Sequence, residues 1–288
     1  MMKEAKKVSF LIPCYNHENY VKSCLYSILH QDYHNYEVII ADDGSKDNSV
    51  EMIQQMEMDF EKKGIRFVLL SDGVNRGIPK NLNRMLEFAQ GDYVKIIASD
   101  DMLAPSYLSK MVAYMEEHPD LMMAFSNGYR VDENTIFPVT QEHLIGELVQ
   151  DEPDCVHNVF DRIYECNFVP APSLMIRASL FKENQGYDES IQIEDLDMIL
   201  RMLVAHPNGL GMCEEFLAYY RISGNSISSN AYTKGAFRRA KFMYENSMRI
   251  ATKFRENVPK KLYKKKTKQL RIDYYYFCVK LVLRGIFR

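Results

Sequence analysis

The chain has 288 residues, 47% of them hydrophobic and 26% charged, with a formal net charge of −3. This is the composition of a soluble globular protein, with enough chain to bury a substantial core as one large domain or a domain with an appendage. No stretch approaches the roughly 18 uncharged apolar residues of a transmembrane helix, and the six cysteines show neither a C-x-x-C pair nor zinc-ligand spacing.

The charge is unevenly spread. Residues 231–288 carry 17 Lys and Arg against 3 Asp and Glu, while 1–230 carry 19 against 36. An acidic body with a basic tail predicts that the tail meets an anionic surface, without bearing on fold. Met-Met-Lys-Glu-Ala-Lys-Lys runs straight into a strand with no apolar leader. Reduced thiols and a cytoplasmic protein are expected, with the tail suited to the inner face of a membrane.

Val8–Ile12 reads as a first strand, closed by Pro13-Cys14-Tyr15-Asn16. A helix follows over about 18–30, with Tyr20, Val21, Cys24, Leu25, Ile28 and Leu29 at helical spacing. A strand at 37–41 ends in Asp42-Asp43-Gly44-Ser45. Then come a helix at about 47–63, a strand at 66–70, a loop at 71–77 and a helix at 80–89. Tyr93–Ala98 is a short β-prone run, and Ser99-Asp100-Asp101 follows it at once. Pro105 opens the next helix, where its missing N–H costs nothing. Strand–helix alternation with short loops predicts a parallel sheet covered on both faces, with right-handed crossovers. Beyond about 118 the rhythm changes. A strand at 121–131, an irregular polar stretch at 132–157, a short helix at 157–166 and extended chain at 170–176 are expected. An amphipathic helix at 193–205, a strand at 209–218 and helix from about 232 complete the reading. The division predicted is a catalytic domain at 1–230 and a basic helical extension at 231–288.

Three strand ends thus bring acids or turn residues to one edge, where open α/β sheets place their ligands. Adjacent carboxylates such as Asp100 and Asp101 repel each other in low dielectric, and a hard divalent metal bridging to phosphate oxygens meets their need. Either could instead serve as a helix cap, as could Asp42-Asp43-Gly44-Ser45 in a turn. No G-x-G-x-x-G and no G-x-x-x-x-G-K-[ST] is present, which argues against a Rossmann dinucleotide site and a Walker-type cradle.

Taken in order, Ser9–Asn16, Tyr26–Gln31, Asp42–Asp47, Asn75-Arg76-Gly77, Asn83, Ala89–Tyr93, Ser99-Asp100-Asp101, Gly186–Glu189, Glu194-Asp195 with Arg201, and Tyr220-Arg221 resemble the family 2 glycosyltransferases of the GT-A fold. The likeness spans about residues 7–229. It implies a Rossmann-like, mostly parallel sheet and an inverting transfer from a nucleotide sugar to a glycan or lipid-linked acceptor of surface polysaccharide assembly. By the same resemblance Pro13, Tyr15 and Glu18 line the nucleotide pocket, with Arg76 in the same pocket, and Asp43 pairs with uracil. Asp100 falls near the ribose and Asp101 at the metal ligand of the DXD motif. Asp195 falls at the catalytic base, and Tyr220-Arg221 precedes a loop that closes over the donor phosphates. Three positions depart from the pattern. Ala98 replaces the first acid of the commoner Asp-x-Asp-Asp motif, Leu82 an Arg, and Ser223 a His.

Glycosyl transfer from a nucleoside diphosphate needs positive charge for its leaving group, which Mn²⁺ or Mg²⁺ on Asp101 supplies, and a general base for the acceptor hydroxyl. Asp195 starts a helix whose macrodipole favours the charged form; helix capping is its bland alternative. Glu194 ranks second, as an orienting neighbour, and Asp197 is a further competitor. An acid at Asp43 suits uracil N3–H, so a UDP-sugar is the expected donor. The cationic, aromatic-studded tail suits either an anionic bilayer or packing with a solvated basic face, and nucleic acid is not an expected partner. Two rival functions remain, an α/β nucleotidyltransferase and a non-catalytic metal- or nucleotide-binding module. The first would need a basic Gly-rich phosphate loop after the first strand, where Cys14-Tyr15-Asn16-His17-Glu18 stands.

Overall fold

A computed structural model describes residues 5–149, 158–222 and 235–283. Its centre is a nine-stranded sheet built from β1 (Val8–Cys14), β2 (Tyr36–Asp42), β3 (Arg66–Ser71), β4 (Tyr93–Ile96), β5 (Met102–Leu103), β6 (Met123–Asp132), β7 (Leu144–Glu147), β8 (Met175–Arg177) and β9 (Leu210–Ile222). The strand order is β3-β2-β1-β4-β8-β6-β9-β5, with β7 paired to β6. The first four strands are parallel, as helix-linked alternation requires. The second half is mixed, because β8 enters antiparallel between β4 and β6. It arrives by a long connection rather than a βα crossover, so the parallel rule has no hold on it.

Helices α1 (Val21–Leu29), α2 (Ser49–Lys62) and α4 (Tyr107–Glu117) cover one face of the sheet. Helices α3 (Ile78–Leu86), α7 (Glu194–Ala205) and α8 (Ala236–Lys253) lie on the other. The period of two in a strand divides the core between them. Phe10, Ile12, Val38 and Ile40 point to the first layer, and Leu11, Ile39 and Ala41 to the second. The short helices α5 (Val159–Glu165) and α6 (Ser179–Glu183) and the long α9 (Lys260–Leu283) complete the chain. Helix α8 contributes Ile250 and Ala251 to the same buried cluster as Met198, Ile199 and Leu203 of α7.

Three short elements were invisible to periodicity: β5, α6 and β7, the last within a stretch read as irregular. Each has five residues or fewer, too few for a period to show. Ser223 and Cys155 lie outside the described residues; the five other cysteines are unpaired. No helix among the described residues is long and apolar enough to cross a membrane.

The amino-terminal edge of the sheet is pinned by Glu37. Its buried carboxylate accepts from Ser9 Oγ at 2.6 Å, Gln90 N at 2.6 Å and Arg66 Nη1 at 2.7 Å, and pairs with Lys7 at 2.9 Å. Burial alone would raise this carboxyl, but the donors outweigh it and hold the group below the usual range. A lowered acid stabilises the fold above its unfolded value and ceases to do so as pH falls through the folded one. Glu37→Gln should therefore melt well below wild type at neutral pH, with the gap narrowing steadily on acidification below about pH 5.

Candidate functional site

The carboxyl ends of β1, β2, β3 and β4 converge on one edge, and the loops that leave them are tied together by acids. Asn16, in a left-handed conformation (φ 53°), accepts Lys46 N at 2.8 Å through Oδ1, and its own N–H donates to Ser45 Oγ at 2.9 Å. Asp47 accepts the Glu18 N–H at 3.0 Å, and Glu18 returns a carboxylate to Asn48 N at 2.9 Å. Glu18 thus braces the loop, while Tyr15 stands 46% exposed beside half-buried Pro13. Gly44 (φ +74°) closes the next gap, since a Cβ there would meet Gly73 O at 2.9 Å.

Asp43 organises the loop after β3. Its Oδ1 accepts Arg76 N at 2.5 Å and Asn81 Nδ2 at 2.7 Å, and its Oδ2 accepts Gly77 N at 3.0 Å. Oδ2 keeps a free acceptor direction. The Arg76 guanidinium turns aside to Asp72 at 2.6 Å, so Arg76 reaches Asp43 by its backbone. Leu82 is fully buried on α3.

At the end of β4, Ser99 Oγ meets His17 Nδ1 at 2.7 Å. Asp100 is half-buried and Asp101 is 3% exposed. Arg221 lies between them and the chain beyond. Its N–H donates to Asp101 Oδ1 at 2.9 Å and its Nε to Asp100 O at 2.7 Å. Nη1 fans onto the carbonyls of Asp132, Glu133 and Thr135 at 3.1, 2.9 and 2.7 Å, and the guanidinium sits 4.9 Å from the Tyr20 ring centroid. Arg221 is 1% exposed, so its charge is turned inward and it shapes the acid turn from behind.

Burial first, and the neighbouring Asp100 second, push the Asp101 carboxyl well above the usual carboxylate range. Such a group ionises readily only beside a cation. Two adjacent hard-oxygen donors fit Mg²⁺ or Mn²⁺. Among the described residues no three metal-type side chains converge; such cations commonly complete their shell with substrate phosphate and water.

Glu194 and Asp195 occupy the first turn of α7. Burial, then the charge of Asp195, raises Glu194 to about 8, and burial raises Asp195 as well. The macrodipole argument for a readily charged Asp195 is outweighed by dehydration. Asp197 is committed elsewhere, paired with Arg201 at 2.8 Å. The preceding loop is strapped by residues whose part the sequence did not disclose. Asn83 accepts Tyr187 N at 2.8 Å and donates to Tyr187 O at 3.0 Å, and Arg201 donates to Asn184 O and Gly186 O at 2.9 Å each. Gly186 (φ +75°) has no alternative, because a Cβ would stand 2.6 Å from Asn83 Oδ1. The two halves of the site touch at Gly77, where a Cβ would come 3.1 Å from Gln192 Oε1. Lys95 was missed too. It is buried on β4 and donates to Pro172 O at 2.5 Å and Ile96 O at 2.9 Å. Its only signal is a lone lysine inside an apolar run.

This sheet order, with acids gathered at the carboxyl edge of its parallel half, is the GT-A architecture of nucleotide-sugar glycosyltransferases. The profile of glycosyl transferase family 2 matches residues 9–187, and the chain belongs to that family and is a glycosyltransferase. It is 30% identical over 251 residues to the Bacillus subtilis protein TuaG, named as a glycosyltransferase of teichuronic acid biosynthesis, covering 84% of this chain and 89% of that one. It is 28% identical over 251 residues to the B. subtilis protein EpsE, named as a glycosyltransferase, covering 84% and 79%. Among solved structures, the Pyrobaculum calidifontis mannosyltransferase PcManGT, in complex with GDP-Man and Mn²⁺, superposes with a TM-score of 0.65 at 15% identity, over 98% of this chain and 74% of that one. S. aureus TarS 1–349 in complex with UDP-GlcNAc gives 0.62 at 20% identity, over 92% and 71%.

Asp43→Asn would set an amide N–H₂ against backbone donors and should cost about 1–3 kcal/mol of stability. Hydrogen exchange should quicken across 72–77 while β1 is unchanged. A second expectation concerns Glu194. A raised acid favours the fold below its unfolded value and the contribution fades as pH rises through about 8. Glu194→Gln, which stays neutral, should gain melting temperature relative to wild type as pH rises from 4.5 to about 8 and hold that gain above it.

Proposed function

We propose that the protein transfers a sugar, with inversion, from a UDP-sugar to the hydroxyl of a glycan or lipid-linked acceptor of surface polysaccharide assembly. The observation that carries this is the Asp43 carboxylate, fixed by loop 75–77 with one acceptor direction left on Oδ2. That geometry suits the N3–H of uracil. Pro13 and Tyr15 would flank the base and Asp100 the ribose. Glu18, Arg76 and Arg221 would act by shaping the loops around the nucleotide. Asp101, with Asp100 beside it, would hold the divalent cation, whose chemistry there is to neutralise charge on the departing diphosphate.

Asp195 would take the proton of the acceptor hydroxyl, with Glu194 as its orienting neighbour. A base acting on the face opposite the leaving group implies a single in-line displacement. The named part of TuaG in teichuronic acid biosynthesis supports a polysaccharide acceptor. The catalytic groups all lie within 1–230, and α8 and α9 form the extension beyond. Exposed Lys261, Lys264, Lys265 and Lys268 on α9, followed by Tyr275, Tyr276 and Leu283, support a peripheral place on an anionic membrane surface from the cytoplasmic side. Unchanged liposome flotation on replacing those three apolar residues by Ser would remove that part of the reading.

Release of free nucleoside diphosphate tests the function itself. Wild type with a UDP-sugar and Mn²⁺ should release UDP, whereas a nucleotidyltransferase would release pyrophosphate. Asp195→Asn should lower kcat by about 10²–10⁴-fold with donor affinity retained. Product NMR with a retained anomeric configuration would contradict the in-line mechanism.

A further inference from the structure

The turn that carries the carboxyl pair is poorly secured from within. Ile193 stands at the N-cap of α7 and offers no side-chain cap, and three acids, Glu194, Asp195 and Asp197, crowd the first turn. Acids suit a helix start, but with no side chain from Ile193 to cap it the placement of this turn depends on what packs against it. The compensation comes from α8, far along the chain and beyond the segment that matches the family profile.

Three side chains of α8 reach residues 188–197. Asn246 Oδ1, from a side chain 6% exposed, accepts Gln192 N at 2.9 Å. Arg249 Nη1 donates to Ser190 O at 2.8 Å. Lys253 Nζ donates to Asp188 Oδ2 at 2.8 Å and lies 2.7 Å from Asp197 Oδ1, an ion pair without hydrogen-bond alignment. Asp197 is 1% exposed, so this is no solvated surface pair of negligible worth. Arg201 also grips Asp197, but from the same helix. Asn83 of α3 holds the loop at Tyr187, and α8 holds both the loop and the helix start.

We propose that α8 positions the base: Lys253, with Asn246 and Arg249, fixes the 188–197 turn so that Glu194 and Asp195 meet the acceptor in register. This rests on Asp195 being the base. Misplacement of a catalytic group by about 1 Å can cost on the order of 10²-fold in rate, so the clamp acts on turnover. Donor binding depends on the β1, β2 and β4 ends, which α8 does not hold.

The test uses the full chain as Lys253→Met, Lys253→Arg and Asp195→Asn, with UDP-N-acetylglucosamine and Mn²⁺ as probe, read as UDP release, alongside hydrogen exchange. Lys253→Met should lower kcat about tenfold or more at unchanged donor KM. Arg, which can bridge both carboxylates, should restore most of it. Exchange across 187–197 should quicken in Lys253→Met and not in Lys253→Arg, with β1–β4 unaltered; this arm decides whether or not the probe is turned over. Wild-type kcat, or unchanged exchange across 187–197, in Lys253→Met would overturn the positioning role. Loss of activity in Asp195→Asn beside a fully active Lys253→Met would leave the base in place and remove only the clamp. Full activity in Asp195→Asn would remove the base assignment instead.

Discussion

Backbone N–H groups aimed at carboxylates hold the carboxyl edge of this sheet together. Asp42 takes the amides of Gly44 and Ser45, and Asp43 those of Arg76 and Gly77. Asp47 takes those of Glu18 and Ser49, and Asp101 that of Arg221. Acids concentrated at one edge would repel each other apart. Asp42 is compensated by its own turn, and Asp43 and Asp47 by amides from another strand end, so the electrostatic need of these acids also folds the loops over the crevice. The pattern leaves Asp101 least compensated, with a single amide against deep burial and an adjacent Asp100. That imbalance is what the proposed divalent cation would relieve.

The second constraint is mechanical. The segment 184–197 meets the edge at Gly77 and carries its carboxyls on a helix start without a side-chain cap. It is strapped by Asn83 from α3, by Arg201 from its own helix and by Lys253 from α8. One side of the site is therefore built by local strand-end chemistry and the other by long-range packing. The first part is rigid by register. The second depends on three helices agreeing.

This difference explains what could be read from the sequence. The first four strands and their helices were legible because buried parallel strands are apolar runs and their helices have a 3.6-residue period. Asp43, Asp100 and Asp101 stood out because acids directly after such runs are unusual. Asp197 resembled Asp195 in sequence, and only its pairing with Arg201 and Lys253 separates them. Arg221 read as the residue before a loop closing over the donor phosphates, whereas its guanidinium is spent on backbone carbonyls, an orientation no spacing encodes. The basic tail was visible as charge, but charge says nothing of packing, and the part of α8 in the core next to α7 rests on apolar residues dispersed among lysines and arginines.

The most direct test of a cation-assisted donor site at Asp101 is the melting temperature of the protein with UDP, GDP, dTDP or CDP, each with Mn²⁺, Mg²⁺ or chelator. Ligands that bind the native state raise it by mass action, through a gain in stability of about 2.7 kcal/mol at a hundredfold excess over Kd. The account predicts a rise selective for UDP, dependent on the metal and abolished in Asp101→Ala. A UDP-induced rise that persists in chelator and in Asp101→Ala, or no rise with any nucleotide, would contradict it.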